Sequence, residues 1–197
     1  MDNLGLIEKT RVYCKSTMEA NRCKYLPFHN WQHAKDVARN SKWIAQHENL
    51  PEDIMEELAI ASYFHDLGHI NGATNHEELS CEYARNFLSN EDFPEERIIK
   101  VLKNIQATKM PQNPETVSQK VICDADLAHL GKKNFLVKNA KIRKEWALFN
   151  NQKFSDEQWV VMNIKFLNKH NFHTNYAKKS YSAQKLKNIN NLKQLLN

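Results

Sequence analysis

The 197-residue chain carries 28 Lys and Arg residues against 23 Asp and Glu, for a formal net charge of +5, and it is 41% hydrophobic. These values fit one domain with a sizeable core best, with two small domains as the alternative. No run of 18 apolar residues occurs, so we expect no membrane partner. The N-terminal residues lack the basic-then-apolar pattern of a signal peptide, and we expect a cytoplasmic protein.

The charge is distributed unevenly along the chain. From Leu130 onward there are 14 basic and 3 acidic residues, whereas the preceding part has 14 basic and 20 acidic residues. A solvated lysine-rich face is the favoured interpretation, and a basic rim that attracts an anionic substrate is the alternative. The lysines are dispersed and form no nucleic-acid motif with aromatic residues, so nucleic acid is not the favoured partner.

Apolar residues recur at helical spacing in almost every segment of the chain. Stripes that predict helices are Leu4, Ile7, Cys14 and Met18; Ala34, Val37, Ser41 and Ile44; Ile54, Leu58, Ala61 and His65; Leu79, Tyr83 and Phe87; Ile98, Leu102 and Ile105; Trp159, Met162 and Phe166; and Leu186, Ile189, Leu192 and Leu196. Alternating strand patterns are scarce. We therefore predict one all-α domain over residues 1–197, with about eight to ten helices.

Polar residues and prolines indicate where several of these helices begin. Asn30 is a plausible N-cap, and Pro51 and Pro94 suit first helical positions. The segment 113–131 begins with Asn-Pro and ends with glycine, which predicts one helix across it. Residues 155–158 read Ser-Asp-Glu-Gln, a capping box that predicts another helix start.

The segment "YFHDLGHINGATNHEE", residues 63–78, combines three of the chain's nine histidines with three carboxylates and two of its four glycines. Two other segments carry similar side chains, "FHNWQH" and "CDADLAHL". Candidate ligands in the three segments are His29, His33, His65, Asp66, His69, Asp124 and Asp126. Imidazole and carboxylate together suit Mn, Fe, Ni, Zn or Mg, so the pattern predicts a divalent metal site.

His65 and Asp66 are adjacent, which restricts how both could reach one ion. Consecutive helix residues point about 100° apart, because a helix has 3.6 residues per turn. Both can face one ion only near a helix end, and Gly68 and Gly72 predict such an end. Asp124 lies two residues before Asp126 and should face away from it, as a surface or supporting residue.

The order His, then His-Asp, then Asp resembles the HD superfamily of metal-dependent phosphohydrolases. The resemblance covers residues 28–130 and implies an HD-type helical bundle with a helical extension over residues 131–197. It implies that one divalent metal is held by four side chains. Matched residue by residue, these are His33, His65, Asp66 and Asp126.

Resemblance to particular HD subfamilies is divided. "HNWQHAKDV" is similar to a signature of cyclic-nucleotide phosphodiesterases, which implies that His29 is a general acid. "HDLGH" fits those enzymes and deoxynucleotide triphosphohydrolases, but the His-Pro-Gly continuation of the phosphodiesterases is replaced by His69-Ile70-Asn71. "NHEELSCEYA", "IRKEW" and "FHTNYA" look most like small bacterial HD proteins known only as predicted phosphohydrolases.

Several further side chains are candidates for supporting roles. Asn30, Glu77 and Glu78 could hold a ligand imidazole or a water, although acidic residues at a helix start are common. Lys109 and Arg143 could bind phosphate, with a surface role as the alternative.

His69 could act in catalysis by protonating the leaving oxygen in place of His29 or by orienting the phosphate. It could instead bind a second ion or be a hydrogen-bonded pocket residue. Clearly binuclear HD enzymes generally supply further histidines between His-Asp and the last Asp, and here only His69 and His76 lie there. We therefore expect one firmly bound ion and at most a weak second one.

The sequence thus predicts a metal-dependent phosphohydrolase acting on a small anionic phosphoester. A nucleotide is the favoured substrate, cleaved as in cyclic-nucleotide phosphodiesterases. The alternatives are a nucleotidase or nucleotide triphosphohydrolase, and a metal-containing nucleotide-binding module without turnover. The sequence assigns no metal identity and no oligomeric state.

Overall fold

The computed structural model describes residues 5–196, and within that range the regular structure is entirely helical. The α-helices are α1 (Leu6–Ala20), α2 (Trp31–His47), α3 (Glu52–Phe64), α4 (His76–Asn90), α5 (Glu95–Gln106), α6 (Val117–Asp126), α7 (Phe135–Phe149), α8 (Asp156–Lys169) and α9 (Asn175–Gln194). Short 3₁₀ helices cover Arg22–Tyr25, Leu67–Ile70 and Leu127–Gly131. The all-α prediction is confirmed.

Capping side chains fix where the site-bearing helices begin. The Asn30 Oδ1 atom accepts hydrogen bonds from the backbone N–H groups of Gln32 and His33, at 3.0 and 3.4 Å, as an N-cap does. The predicted capping box before α8 is present. The predicted helix over 113–131 is shorter at both ends, because Thr116 forms a second capping box with Gln119 and the chain tightens into a 3₁₀ turn after Asp126.

Two apolar cores organise these helices. The first lies among α1 to α6 and includes the buried side chains of Leu58, Phe64 and Ile122. The second joins the 3₁₀ turn after α6 to α7, α8 and α9, and includes Leu130 and Phe135. The end of α6 therefore lies where the two cores meet.

Some residues of the predicted apolar stripes do not lie in the core. Ile7, Leu186 and Leu196 are exposed, and Leu4 lies outside the described residues. In α9 the buried face carries Ile189 together with polar side chains, which the apolar pattern cannot reveal.

Asp124 faces away from Asp126 as expected, but it is not a surface residue, because it is fully buried. Its carboxylate accepts hydrogen bonds from the backbone N–H groups of His173 and Thr174, at 2.8 and 2.7 Å, and from the Thr174 hydroxyl at 2.7 Å. These contacts hold the start of α9 against α6. Asp124 thus supports the helix that delivers Asp126.

Among residues 5–196, no helix is both long enough and apolar enough to cross a membrane.

Candidate metal centre

Three helix ends bring four of the predicted ligands together. His33 lies in the first turn of α2, His65 and Asp66 follow α3 directly, and Asp126 is the last residue of α6. We call these four side chains the His/Asp cluster.

The ligand atoms of the His/Asp cluster lie close to one another. His33 Nε2 lies 3.0 Å from Asp126 Oδ1, 3.3 Å from Asp66 Oδ2 and 3.4 Å from His65 Nε2. His65 Nε2 lies 3.2 Å from Asp66 Oδ2 and 3.7 Å from Asp126 Oδ1. Ligands about 2.0–2.2 Å from one ion have similar mutual separations.

The end of α3 explains how adjacent residues serve one point. The helix ends at Phe64, and Asp66 has left helical geometry, with φ −107° and ψ 6°. The expected helix end is therefore present. Gly68 contributes in a different way from the one predicted, because a Cβ atom there would lie 2.1 Å from the backbone oxygen of His76. Glycine allows this turn to pack against the start of α4.

The hydrogen bonds of the His/Asp cluster suit a divalent cation. The Nδ1–H group of His65 donates to the backbone oxygen of Ser62 at 2.9 Å, which leaves Nε2 as the ligand nitrogen. Asp66 Oδ2 is buried and has no hydrogen-bond partner among the described residues. A buried carboxylate oxygen without a donor requires a cation nearby, so the residues present fit a metal.

Electrostatics within the His/Asp cluster keep its carboxylates ionised. Burial opposes the charged form of Asp66, but the attraction of the His65 imidazole in its protonated form outweighs it and holds the pKa of Asp66 well below its usual range. A divalent ion ligated by the neutral His65 would supply the same positive charge. Burial likewise opposes ionisation of Asp126, and hydrogen bonds from His33 and His65 lower its pKa. Both carboxylates are therefore available as ligands at neutral pH.

His29 lies beside the His/Asp cluster and pairs with a buried glutamate on α7. The Nδ1 atom of His29 pairs with Oε1 of Glu145, whose Oε2 accepts hydrogen bonds from the backbone N–H groups of Phe28 and His29, at 2.7 and 3.0 Å. Burial disfavours the charged imidazole, but the hydrogen bond that His29 donates to Glu145 and the charge of Asp66 outweigh it and raise the pKa of His29. Glu145 therefore holds this side chain in position and favours its charged form.

Three imidazole rings stack on the other side of Asp66. The His69 ring lies 4.4 Å from that of His29 and 4.0 Å from that of His76, centroid to centroid. Asp66 Oδ1 lies 3.9 Å from His69 Nε2 and 3.5 Å from His76 Nε2. His29, Asp66 and His69 form a second group of donor atoms within 4.8 Å of one another.

This second group bears on the expected number of ions. His69 is buried, and neither of its ring nitrogens has a hydrogen-bond partner among the described residues. His69 reaches Asp66 from the 3₁₀ turn, not from a continued α3. The expectation of one firm ion and a weak second one stays a prediction.

The acidic pair at the start of α4 is divided between two environments. Glu77 is buried, with Oε1 3.3 Å from His76 Nε2. Glu78 pairs with Lys109 outside the His/Asp cluster. Lys109 is thus already neutralised by a carboxylate.

Arg143 is not brought to the His/Asp cluster. Its guanidinium donates to Asp156 Oδ1 and to the backbone oxygen of Phe154, each at 2.7 Å. It lines a separate cleft with Trp159 and Leu195.

Comparison with known protein families agrees with this geometry. The family model for the HD domain matches residues 30–130, about half of the chain. The chain belongs to the HD domain family. It is accordingly a metal-dependent phosphohydrolase of that superfamily. No curated protein matches the chain.

Solved structures share the fold across nearly the whole chain. A predicted HD superfamily hydrolase from an uncultured Thermotogales bacterium is 18% identical, with a TM-score of 0.63 over 100% of this chain and 94% of its own. YpgQ of Bacillus subtilis, in complex with ADP, is 15% identical, with a TM-score of 0.68 over 96% and 95%. A Listeria innocua protein is 19% identical, with a TM-score of 0.66 over 98% of each chain. At these identities the likeness establishes the fold alone.

The sequence did not single out two residues of this centre. Glu145 lies 116 positions from His29, and only its place in "IRKEW" marked that segment. The sequence places His76 between the His-Asp pair and the last Asp, but it does not assign His76 as a ligand or as an acid. Its spacing of ten residues from Asp66 matches no helical face, because the 3₁₀ turn lies between them.

Replacing Asp66 with alanine should remove the bound divalent metal and abolish phosphoester hydrolysis, because Asp66 faces both groups of donor atoms. Elemental analysis of the purified protein measures the loss, and circular dichroism should show unchanged helicity. Asp53→Ala, at an exposed position on α3, is the matched control and should retain metal. Full activity of Asp66→Ala after exhaustive chelation would contradict the assignment.

Proposed function

We propose that this HD domain hydrolyses a phosphoester bond of a nucleotide. The observation that carries the proposal is the convergence of the His/Asp cluster next to His29, an imidazole with a buried carboxylate partner. The complex of YpgQ with ADP supports a nucleotide as the substrate class.

The proposed roles divide between holding the metal and moving a proton. His33, His65, Asp66 and Asp126 would hold the ion. A divalent metal supplies Lewis acidity that activates water and polarises phosphoryl oxygens.

His29 is proposed to protonate the departing oxygen. Its Nδ1 is occupied by Glu145, so Nε2 is the nitrogen available to a substrate. Hydrogen bonds from two backbone N–H groups hold Glu145 in place, and the glutamate in turn fixes the ring of His29. A general acid positioned in this way accelerates cleavage by about 10²–10⁴-fold. His69, stacked on His29, is the alternative acid, but burial and the charge of His29 hold its pKa well below the usual range.

The substrate subclass has two candidates. Similarity of the His29 segment to cyclic-nucleotide phosphodiesterases favours a cyclic nucleotide. ADP bound to a structural neighbour favours a nucleoside di- or triphosphate, and hence a nucleotidase or triphosphohydrolase. The excess of basic residues after Leu130 would attract either anion.

A panel of cyclic, mono-, di- and triphosphate nucleotides tests the proposal directly. With added Mn²⁺ we expect turnover of at least one subclass, and after chelation we expect none. Equilibrium binding of each nucleotide should be measured in parallel. Binding without any turnover would contradict hydrolysis and favour the binding module that the sequence left open.

Replacing His29 with alanine should slow hydrolysis mainly for poor leaving groups. For an alkyl or nucleoside ester, the rate of hydrolysis should fall by about 10²-fold or more. For a p-nitrophenyl ester the rate should fall far less, because its leaving oxygen scarcely needs a proton. His47→Ala, exposed near the end of α2, is the matched control. Equal losses on both esters would assign His29 to positioning, and loss of metal would make it a ligand.

The basic limb of the pH–rate profile should depend on Glu145. Glu145 raises the pKa of His29, which acts as a protonated acid, so activity falls as pH rises through that pKa. Glu145→Gln removes the negative charge, lowers the pKa of His29 and should move this limb to lower pH. Glu157→Gln, exposed on α8, should leave the profile unchanged. A shift to higher pH, or none, would contradict the role of Glu145.

A further inference from the structure

A small cleft opens beside the His/Asp cluster, between α2 and the segment that follows α6. His33 and Asp126 line it together with three cations, Arg39, Lys132 and Lys138. Its volume is about 60 Å³. Since about 10–15 Å³ is the least volume that holds one water, the cleft has room for a few waters or for a small polar group.

The cations of this cleft outnumber the carboxylates that neutralise them. Arg39 and Lys138 share one carboxylate, Asp36, whose oxygens lie 3.0 Å from each of them. The Nζ atom of Lys132 donates to the neutral Oδ1 of Asn40 at 2.7 Å. Within residues 5–196, no carboxylate lies within 4.0 Å of the Lys132 ammonium.

Lys132 is therefore a half-buried cation that has no carboxylate within salt-bridge distance among residues 5–196. Burial and the charges of Arg39 and Lys138 lower its pKa, and the more distant charge of Asp36 offsets them only in part. A side chain in this state is stabilised by an anion that enters the cleft. Lys109 and Arg143, the cations that the sequence pattern suggested for phosphate, already have carboxylate partners.

Taking the proposed function as its basis, we infer that Lys132, assisted by Lys138, binds a second phosphate group of a substrate whose scissile phosphoryl group lies at the His/Asp cluster. His33 and Asp126 belong to the His/Asp cluster and also line the cleft. The subsite for the scissile phosphoryl group and the subsite for the second phosphate group are therefore adjacent. A nucleoside di- or triphosphate has neighbouring phosphorus atoms joined by one bridging oxygen and can occupy both. A cyclic or simple monophosphate can occupy only one.

The test compares ligands with one and with two phosphorus atoms. Isothermal calorimetry in excess Mg²⁺ would measure binding of methylphosphonate and methylenediphosphonate, and of AMP and α,β-methylene-ADP. The P–C–P bridge of the two-phosphorus ligands resists hydrolysis, so affinity is measured without turnover. The wild-type chain should prefer each two-phosphorus ligand by about tenfold or more, the value of one charge-assisted hydrogen bond.

Lys132→Gln should abolish this preference while leaving the affinity for the one-phosphorus ligands unchanged. Lys132→Arg should preserve the preference, and Lys133→Gln, at the exposed neighbouring position, should have no effect. Circular dichroism of each variant checks the fold. Absence of the preference in the wild-type chain, or its persistence in Lys132→Gln, would overturn the subsite.

The outcomes separate this inference from the proposed function. Metal-dependent nucleotide turnover with no effect of Lys132→Gln on the preference would leave the function standing and remove the subsite. A Lys132-dependent preference for methylenediphosphonate, without binding or turnover of any nucleotide, would confirm the subsite and overturn the nucleotide as substrate.

Discussion

The buried carboxylate of Asp66 is the constraint on which the rest of this structure depends. One oxygen, Oδ2, faces His33 and His65, and the other, Oδ1, faces His69 and His76. Burying a charge of this kind is costly unless cations compensate it. The imidazoles around Asp66 and the divalent ion that the family binds are the available compensation.

The fold satisfies this constraint because the start of α2 and the ends of α3 and α6 meet beside the Asp66 carboxylate. The terminus of α3 turns His65 and Asp66 toward the same point, and the terminus of α6 brings Asp126 to it. Asn30 fixes the start of α2 and with it the backbone of His33. Because the backbone is no longer helical after His65, side chains that a continuous helix would direct apart can share one ion.

Around this centre, the C-terminal part of the chain contributes side chains to which our proposals assign a role toward the substrate. Glu145 and Lys138 lie on α7, from which Glu145 reaches back to His29, and Lys132 lies on the segment between Asp126 and α7. In our account the first core holds the metal ligands, and the C-terminal helices supply the acid's partner and the phosphate-binding cations. The basic charge of that part of the chain agrees with this division.

Local signals in the sequence were sufficient to predict the all-α fold, and the resemblance to the HD superfamily picked out the four side chains that the structure brings together. These four side chains lie at helix ends, where caps and the His-Asp pair leave a visible pattern. Glu145 could not be predicted in this way, because its pairing with His29 depends on how α7 packs. In α7 the apolar residues also do not indicate which side chains are buried, since Leu136 and Leu148 are exposed while Glu145 is buried.

The sequence is equally unable to show which lysines are available to bind a phosphate group, as Lys132 and Lys109 illustrate. Both are lysines in polar segments, and only the folded chain reveals that Lys109 has a carboxylate partner whereas Lys132 has none within the described residues 5–196. Counter-charges come from distant parts of the chain. Lysines of equal appearance in the sequence therefore differ in electrostatic environment.

Anomalous X-ray diffraction from crystals soaked in Mn²⁺ tests the central claim most directly. The account predicts the strongest anomalous peak within about 2.5 Å of ligand atoms from His33, His65, Asp66 and Asp126. A weaker peak beside His69 would fit the expected second, loosely held ion. No peak at the His/Asp cluster, with Mn²⁺ bound only elsewhere on the chain, would contradict the account.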